Sequence, residues 1–124
     1  MASSHPPQHA YPGIPVDLQP EGESLAAAKT FPLVKETAFE AIRMVIHKGH
    51  ELKQHQTEGP ITIYCIEGRL TFTARDQTHE LKPGRWLFLL GGEPHSLVAI
   101  EDSSLLLTIL FPGSQALREA AGSA

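Results

Sequence analysis

The sequence predicts an all-β sandwich or barrel with one short N-terminal helix. Short apolar or alternating runs follow one another from Thr30 to Phe111, and turn residues separate them at even spacing. No strand–helix alternation of the kind that builds a parallel sheet is visible. At 124 residues a single domain is expected, and with 41% hydrophobic but only 6% aromatic residues its core must come mainly from Ile, Leu and Val.

Taken in order, Met1–Pro20 holds five of the ten prolines (Pro6, Pro7, Pro12, Pro15, Pro20) and almost no adjacent apolar pairs. Such a segment buries too little surface to offset its ordering entropy. It reads as a flexible tail, or as an extended strap if it finds a surface or a second subunit to lean on. Glu21–Lys29 has acidic residues first, alanines in the middle and lysine last, which suits a short helix. Strands are expected near Phe31–Thr37, Phe39–His47, Pro60–Glu67, Arg69–Arg75, Thr78–Leu81, Trp86–Leu90, His95–Ile100 and Leu105–Phe111. The expected division is a tail over 1–20, a barrel domain over 21–113 that includes the helix, and a C-terminal tail over 114–124. Within that last tail, Ser114–Ala121 could form a terminal turn or two.

Strand faces add a partner. Ile42, Met44 and Ile46 share one face of their strand, while Arg43, Val45 and His47 share the other. By contrast, Trp86–Leu90 and Leu105–Leu110 are almost wholly apolar on both faces, and a strand apolar on both sides is covered on both sides. A homodimer pressing outer sheet faces together is the simplest cover; the tail or the helix folding over that face is the alternative.

Ten basic against fourteen acidic residues, for a net charge of −4, argue against a nucleic-acid partner. No apolar run approaches a membrane span, and the opening MASSHPPQHAYPG lacks the basic and apolar regions of a secretory leader. The single Cys65 excludes an intrachain disulfide and suits a reducing compartment, so a soluble, cytoplasmic protein is expected.

Two stretches carry candidate chemistry: Gly49–Gly68 (GHELKQHQTEGPITIYCIEG) and, soon after, Pro83–His95 (PGRWLFLLGGEPH). Together they resemble the two motifs of the cupin superfamily, G-x5-H-x-H-x3,4-E-x6-G and G-x5-P-x-G-x2-H-x3-N. Gly49, His55, Gly68, Gly84, Gly92 and His95 fall at matching positions, and the resemblance covers about residues 30–111. It implies a double-stranded β-helix, the cupin or jelly-roll barrel of the RmlC-like type. Thr57, however, stands at the family's second histidine and Ile61 at its glutamate, while Leu90 and Ala99 replace the proline and asparagine. The implied four-ligand metal site is thus reduced to His55 and His95.

Elementary coordination chemistry leads to the same place. Catalytic zinc usually keeps three protein ligands, and the non-haem iron triad needs two histidines and a carboxylate. His55 and His95 would hold a divalent metal (Zn, Fe, Mn or Ni) only if water, a chelating substrate or a nearby side chain completed the site. Gln54, Glu58 and Tyr64 are the nearest in sequence, although Tyr64 should face outward. The alternative is that the two histidines are polar groups at a pocket mouth, bonded to water or to each other. The expected pocket comprises His55, Thr57, Ile61, Ile63, Cys65 and His95, with Leu70, Phe72, Trp86 and Phe88 as further candidate walls. Cys65 has isoleucine neighbours and no helix N-terminus beside it, the setting of an inert thiol. His5, His9, His47, His50 and His79 are expected at the surface or an interface.

Three functions fit this pattern. A small-molecule-binding barrel comes first. The second is a metal-dependent enzyme of dioxygenase or isomerase type, and the third is a structural or regulatory dimer with a filled barrel. A pocket with room for only a water or two would favour the third.

Overall fold

A computed structural model of the chain describes residues 9–111. Histidine 5 and the turn expected over 114–121 lie outside these residues. Nine strands are present: β1 Phe31–Lys35, β2 Phe39–Ile46, β3 Glu51–His55, β4 Ile61–Glu67, β5 Leu70–Ala74, β6 Gln77–Leu81, β7 Trp86–Leu89, β8 His95–Ala99 and β9 Ser103–Leu110. They form a five-stranded sheet ordered β1-β2-β9-β4-β7 and a four-stranded sheet ordered β3-β8-β5-β6. Every pairing is antiparallel. The all-β jelly roll is therefore the observed architecture. Among the described residues no helix is long and apolar enough to cross a membrane.

Alternation builds the core. Ile61, Ile63 and Cys65 of β4 point between the sheets and are almost fully buried, as are Leu70, Phe72, Leu97, Ala99 and Leu105 from their facing strands. Met44, Leu107 and Ile109 extend the same layer. Gly68, between β4 and β5, has φ +91°, and a Cβ there would run into the Asp102 carbonyl and Ser103. Only glycine meets both demands without displacing β9.

Two expectations need correction. β3 was not anticipated, because Glu51–His55 (ELKQH) has one apolar residue and no clean alternation. Its pairing with β8 explains both points: a bulge lies between Leu52 and His55, so the two-residue period is broken within the strand. The helix expected over 21–29 is a 3-10 helix of six residues, Gly22–Ala27. Gly22 enters it with positive φ and Ala28 leaves it extended, too short a span for α-helical hydrogen bonds to accumulate.

Residues preceding this helix meet the five-stranded sheet at two places, the free edge of β1 and the outer face at Arg43. Ala10 N donates to the Leu33 carbonyl at 2.8 Å, and Arg43 Nη2 donates to the Gln19 carbonyl at 2.7 Å. Arg43 is buried there beside the Glu67 carboxylate at 3.4 Å and Glu21 at 3.7 Å. Glu67 in turn accepts from Glu21 N at 2.8 Å, Gly22 N at 3.1 Å and Ser104 Oγ at 2.7 Å. One carboxylate thus ties β4, β9 and the N-terminal segment together, and its hydrogen bonds offset the cost of burying its charge.

Removing one partner of such a buried pair leaves the other uncompensated. Glu67→Ala is expected to lower unfolding free energy by about 3–5 kcal/mol, whereas the joint replacement Arg43→Met with Glu67→Leu should cost much less. Urea unfolding of the three chains measures the difference.

Candidate functional site

The β3–β8 pairing assembles the site. His55 and His95 are direct register partners across these strands, and their ring centroids lie 4.3 Å apart, edge to face. On its other side His95 stacks on buried Phe72, at 5.6 Å and 14° between planes. His95 is 4% exposed, whereas His55 stands in solvent. The pair therefore spans the boundary between the barrel interior and its mouth.

Both rings are oriented by their own backbone. His55 Nδ1 lies 3.0 Å from the Lys53 carbonyl, and His95 Nδ1 lies 3.0 Å from the Glu93 carbonyl. A carbonyl oxygen only accepts, so each Nδ1 carries the proton, and in each neutral ring Nε2 bears the lone pair. Burial, the largest influence, pushes the His95 pKa below its ordinary 6.5; the Glu93 carbonyl opposes this, and the neighbouring His55 reinforces it. His95 is accordingly a neutral acceptor at pH 7.

The loop before β8 aims His95. Glu93 accepts from Leu90 N at 2.9 Å and pairs with Arg75 of the β5–β6 hairpin. Gly92 N donates to the Thr57 carbonyl at 2.8 Å. Gly91 packs so tightly that a Cβ on it would strike the Glu58 carbonyl, which locks this loop to the one after β3. Sequence reasoning overlooked Glu93; its place three residues after Leu90, between glycines and a proline, is the signal of a side chain closing its own turn.

A cavity of about 20 Å³, counted as room for the centre of a water molecule, opens beside the pair. Its walls include His55, Ile61, Ile63 and His95 of the expected set, with Met44, Leu52, Leu97, Leu105 and Leu107 added. Leu52 was hidden with its strand; Met44, Leu105 and Leu107 follow from alternation once β2 and β9 face inward. Thr57 and Cys65 do not line the cavity. The Thr57 hydroxyl turns back to donate to the Gly59 carbonyl at 2.8 Å, and Cys65 is sealed in the core beyond Ile63. Leu70 and Phe72 are likewise core rather than wall. Trp86 and Phe88 are corrected outright: they lie on the outer face of β7, 57% and 58% exposed, because Leu87 and Leu89 take the inward positions.

The metal donors do not assemble. Among the described residues no group of three or more His, Cys, Asp or Glu side chains could hold a metal ion. Ile61 is a buried wall where the family motif places its carboxylate, and Tyr64 faces outward from β4, paired with Trp86. The residues present do not fit the family's four-ligand centre. The other histidines sit elsewhere: His47 bonds the Ala28 carbonyl and approaches Asp102, His9 contacts Phe31, and His50 and His79 are exposed.

Two titrations are expected. A neutral buried imidazole takes up its proton less readily than in the unfolded chain, so stability rises with pH through the window just below 6.5 and levels off above it. His95→Gln should remove this part of the slope, measured by unfolding at several pH values. Burial also pushes the Cys65 thiol from 9.0 up to about 11. At pH 8 only about one thiol in a thousand is ionised, so iodoacetamide should label Cys65 in urea and barely at all in the folded chain.

Comparison with known proteins agrees with this architecture. The sequence model described as "Cupin domain" matches residues 42–111, more than half of the chain. No curated protein matches it. Among solved structures, a conserved protein of unknown function from Streptococcus pyogenes superposes with a TM-score of 0.65 at 24% identity, covering 68% of this chain and 75% of that one. An RmlC-like cupin from Desulfovibrio desulfuricans gives 0.60 at 25% identity, over 65% and 79%. Salicylate 1,2-dioxygenase from Pseudoaminobacter salicylatoxidans gives 0.63 at 18% identity, over 72% of this chain and 26% of that one. Matching motif, sheet order and superposition agree: this chain belongs to the cupin family.

Proposed function

We propose that this chain is a small-molecule-binding cupin in which His55 and His95 together grip one hydrogen-donating head group, a hydroxyl or an amine, without a resident metal. The observation that carries this reading is the pair of Nδ1–carbonyl contacts, which place the Nδ1 proton and leave Nε2 as the acceptor position of each of two adjoining imidazoles. Two acceptors side by side attract a donor and repel a carboxylate or phosphate. The apolar walls strengthen such a bond by excluding water.

Cavity size sets the scale. A volume near 20 Å³ admits a single water or one head group, with the rest of the ligand outside the mouth on the His55 side. The same volume favours a second reading, a regulatory or structural barrel in which the histidines hold only water. An enzyme of the kind represented by the dioxygenase neighbour would need its substrate to supply the missing metal donors. A cytoplasmic location rests on the lone buried thiol.

Titration with phenol, anisole and benzoate at pH 8, followed by imidazole nitrogen NMR, separates these possibilities. Phenol has one O–H and donates to one Nε2 at a time, so exchange between the two should shift both histidines while anisole and benzoate do not, and His55→Ala or His95→Ala should weaken phenol binding about tenfold or more. No response to phenol would overturn the binding proposal in favour of the filled barrel. Stoichiometric Zn, Fe, Mn or Ni in protein purified without added metal, lost in both variants, would overturn it in favour of the enzyme.

A further inference from the structure

Donor and acceptor counts separate the head groups that two histidines can hold. Beside the cavity stand two Nε2 acceptor positions, one on His55 and one on His95, on rings whose centroids lie 4.3 Å apart. The remaining walls are methionine, leucine and isoleucine side chains, which donate nothing. The space therefore offers two acceptors and no donor. A water molecule donates to both, but its own two lone pairs then face apolar walls. A hydroxyl has one proton for two acceptors and keeps its lone pairs unmet as well. An ammonium has three N–H donors and no lone pair, so two serve the imidazoles and the third stays with water at the mouth. It is close to a water molecule in size, which suits a cavity of about 20 Å³. A planar guanidinium carries enough donors but exceeds that space.

A cation leaving bulk water needs a counter-charge. Glu40 of β2 lies directly across from Ile109 of β9, and Ile109 lies across from Ile61 of β4. Residues directly opposite share a sheet face. Ile109 packs on the core and Ile61 lines the cavity, so Glu40 continues that inward row. Two strand spacings put it about 10 Å from Ile61 along the row. Glu40 is half-buried, and its carboxylate has no ion pair or hydrogen bond among the described residues, although Lys35 is its exposed partner on β1. The guanidinium at this end, Arg75, is already held by Glu93, and Lys35 and Lys53 are exposed on flexible stems.

We infer that the head group bound here is a primary alkylammonium, donating to Nε2 of His55 and of His95 with the Glu40 carboxylate as its counter-charge at the mouth. The assignment rests on the two-histidine reading proposed above and narrows it from hydrogen donors in general to one class. Alkylamines lose their proton only well above pH 8, near pH ~10, so at that pH the donor set is intact.

Benzylamine and benzyl alcohol differ only in the head group. At pH 8 and low ionic strength, imidazole nitrogen NMR of the full chain should show benzylamine shifting both Nε2 signals along one saturation curve. Its affinity should be about tenfold or more above that of the alcohol. Benzyltrimethylammonium, equally charged but without an N–H, should leave both signals in place. His55 is exposed, so His55→Ala leaves the fold intact and should weaken the amine about tenfold. Glu40→Gln should weaken the amine about threefold or more and leave the alcohol unchanged. Alcohol binding as tight as that of the amine overturns the inference and leaves the hydrogen-donor reading standing. Equal binding of the trimethylammonium ion overturns it as well, since charge alone would then suffice. Amine affinity unchanged in Glu40→Gln overturns the counter-charge. Silence towards amine, alcohol and phenol alike overturns both readings together.

Discussion

The site depends on the register of one strand pair. β3 lies at the edge of its sheet, and its only described partner is β8. That pairing sets His55 opposite His95 across a distance no side chain needs to bridge by reaching. A one-residue slip would turn His55 away from the barrel, since neighbours along a strand face opposite sides. Three constraints hold the register. The bulge between Leu52 and His55 lets both residues face inward, Leu52 anchors in the apolar layer, and Gly91 fits against the loop that follows His55. Imidazole geometry is therefore a consequence of backbone pairing, with the Nδ1–carbonyl contacts fixing only the last rotation.

On the opposite side of the molecule, the five-stranded sheet meets two demands by different chemistry. Where Arg43 and Glu67 lie outward, a polar strap with free backbone N–H groups satisfies them, and the cluster leaves only Arg43 Nε buried without a partner among the described residues. Where aromatic rings lie outward, no polar strap would serve, because covering them with backbone groups would leave those groups unsatisfied. The boundary between the two regimes runs along β9: Ser104 faces the carboxylate, and Leu106, two residues on, faces Tyr64. One strand thus carries the change from ionic to apolar surface.

Much of this was legible in sequence. Alternation placed Ile61, Ile63 and Cys65 between the sheets and Tyr64 outside, and the motif glycines marked turns that the chain makes with positive φ at Gly49, Gly68, Gly84 and Gly92. What escaped was whatever broke the period. Leu52 and His55 are three residues apart, so no two-residue template joins them. Trp86 and Phe88 are as apolar as Leu87 and Leu89, so hydropathy alone could not say which pair faced inward. Glu67 looked like an ordinary strand end, because its partners are backbone N–H groups of a segment more than forty residues earlier. Such long-range polar contacts leave no local trace.

Two departures from the family motif, at Thr57 and Ile61, act in the same physical direction. A carboxylate at position 61 would need a cation or several donors, because the inward face of β4 there is apolar and nearly solvent-free. Isoleucine removes that requirement and fills the volume, which leaves room for about one water rather than a coordination sphere. Threonine, closing its own turn onto Gly59, removes a second donor from the mouth. The Glu93 carboxylate beside His95 is taken up by Arg75 and Leu90 N, and the His95 pKa is lowered chiefly by burial. What remains of the family's four-donor centre is an imidazole pair in which a carboxylate position has become packing.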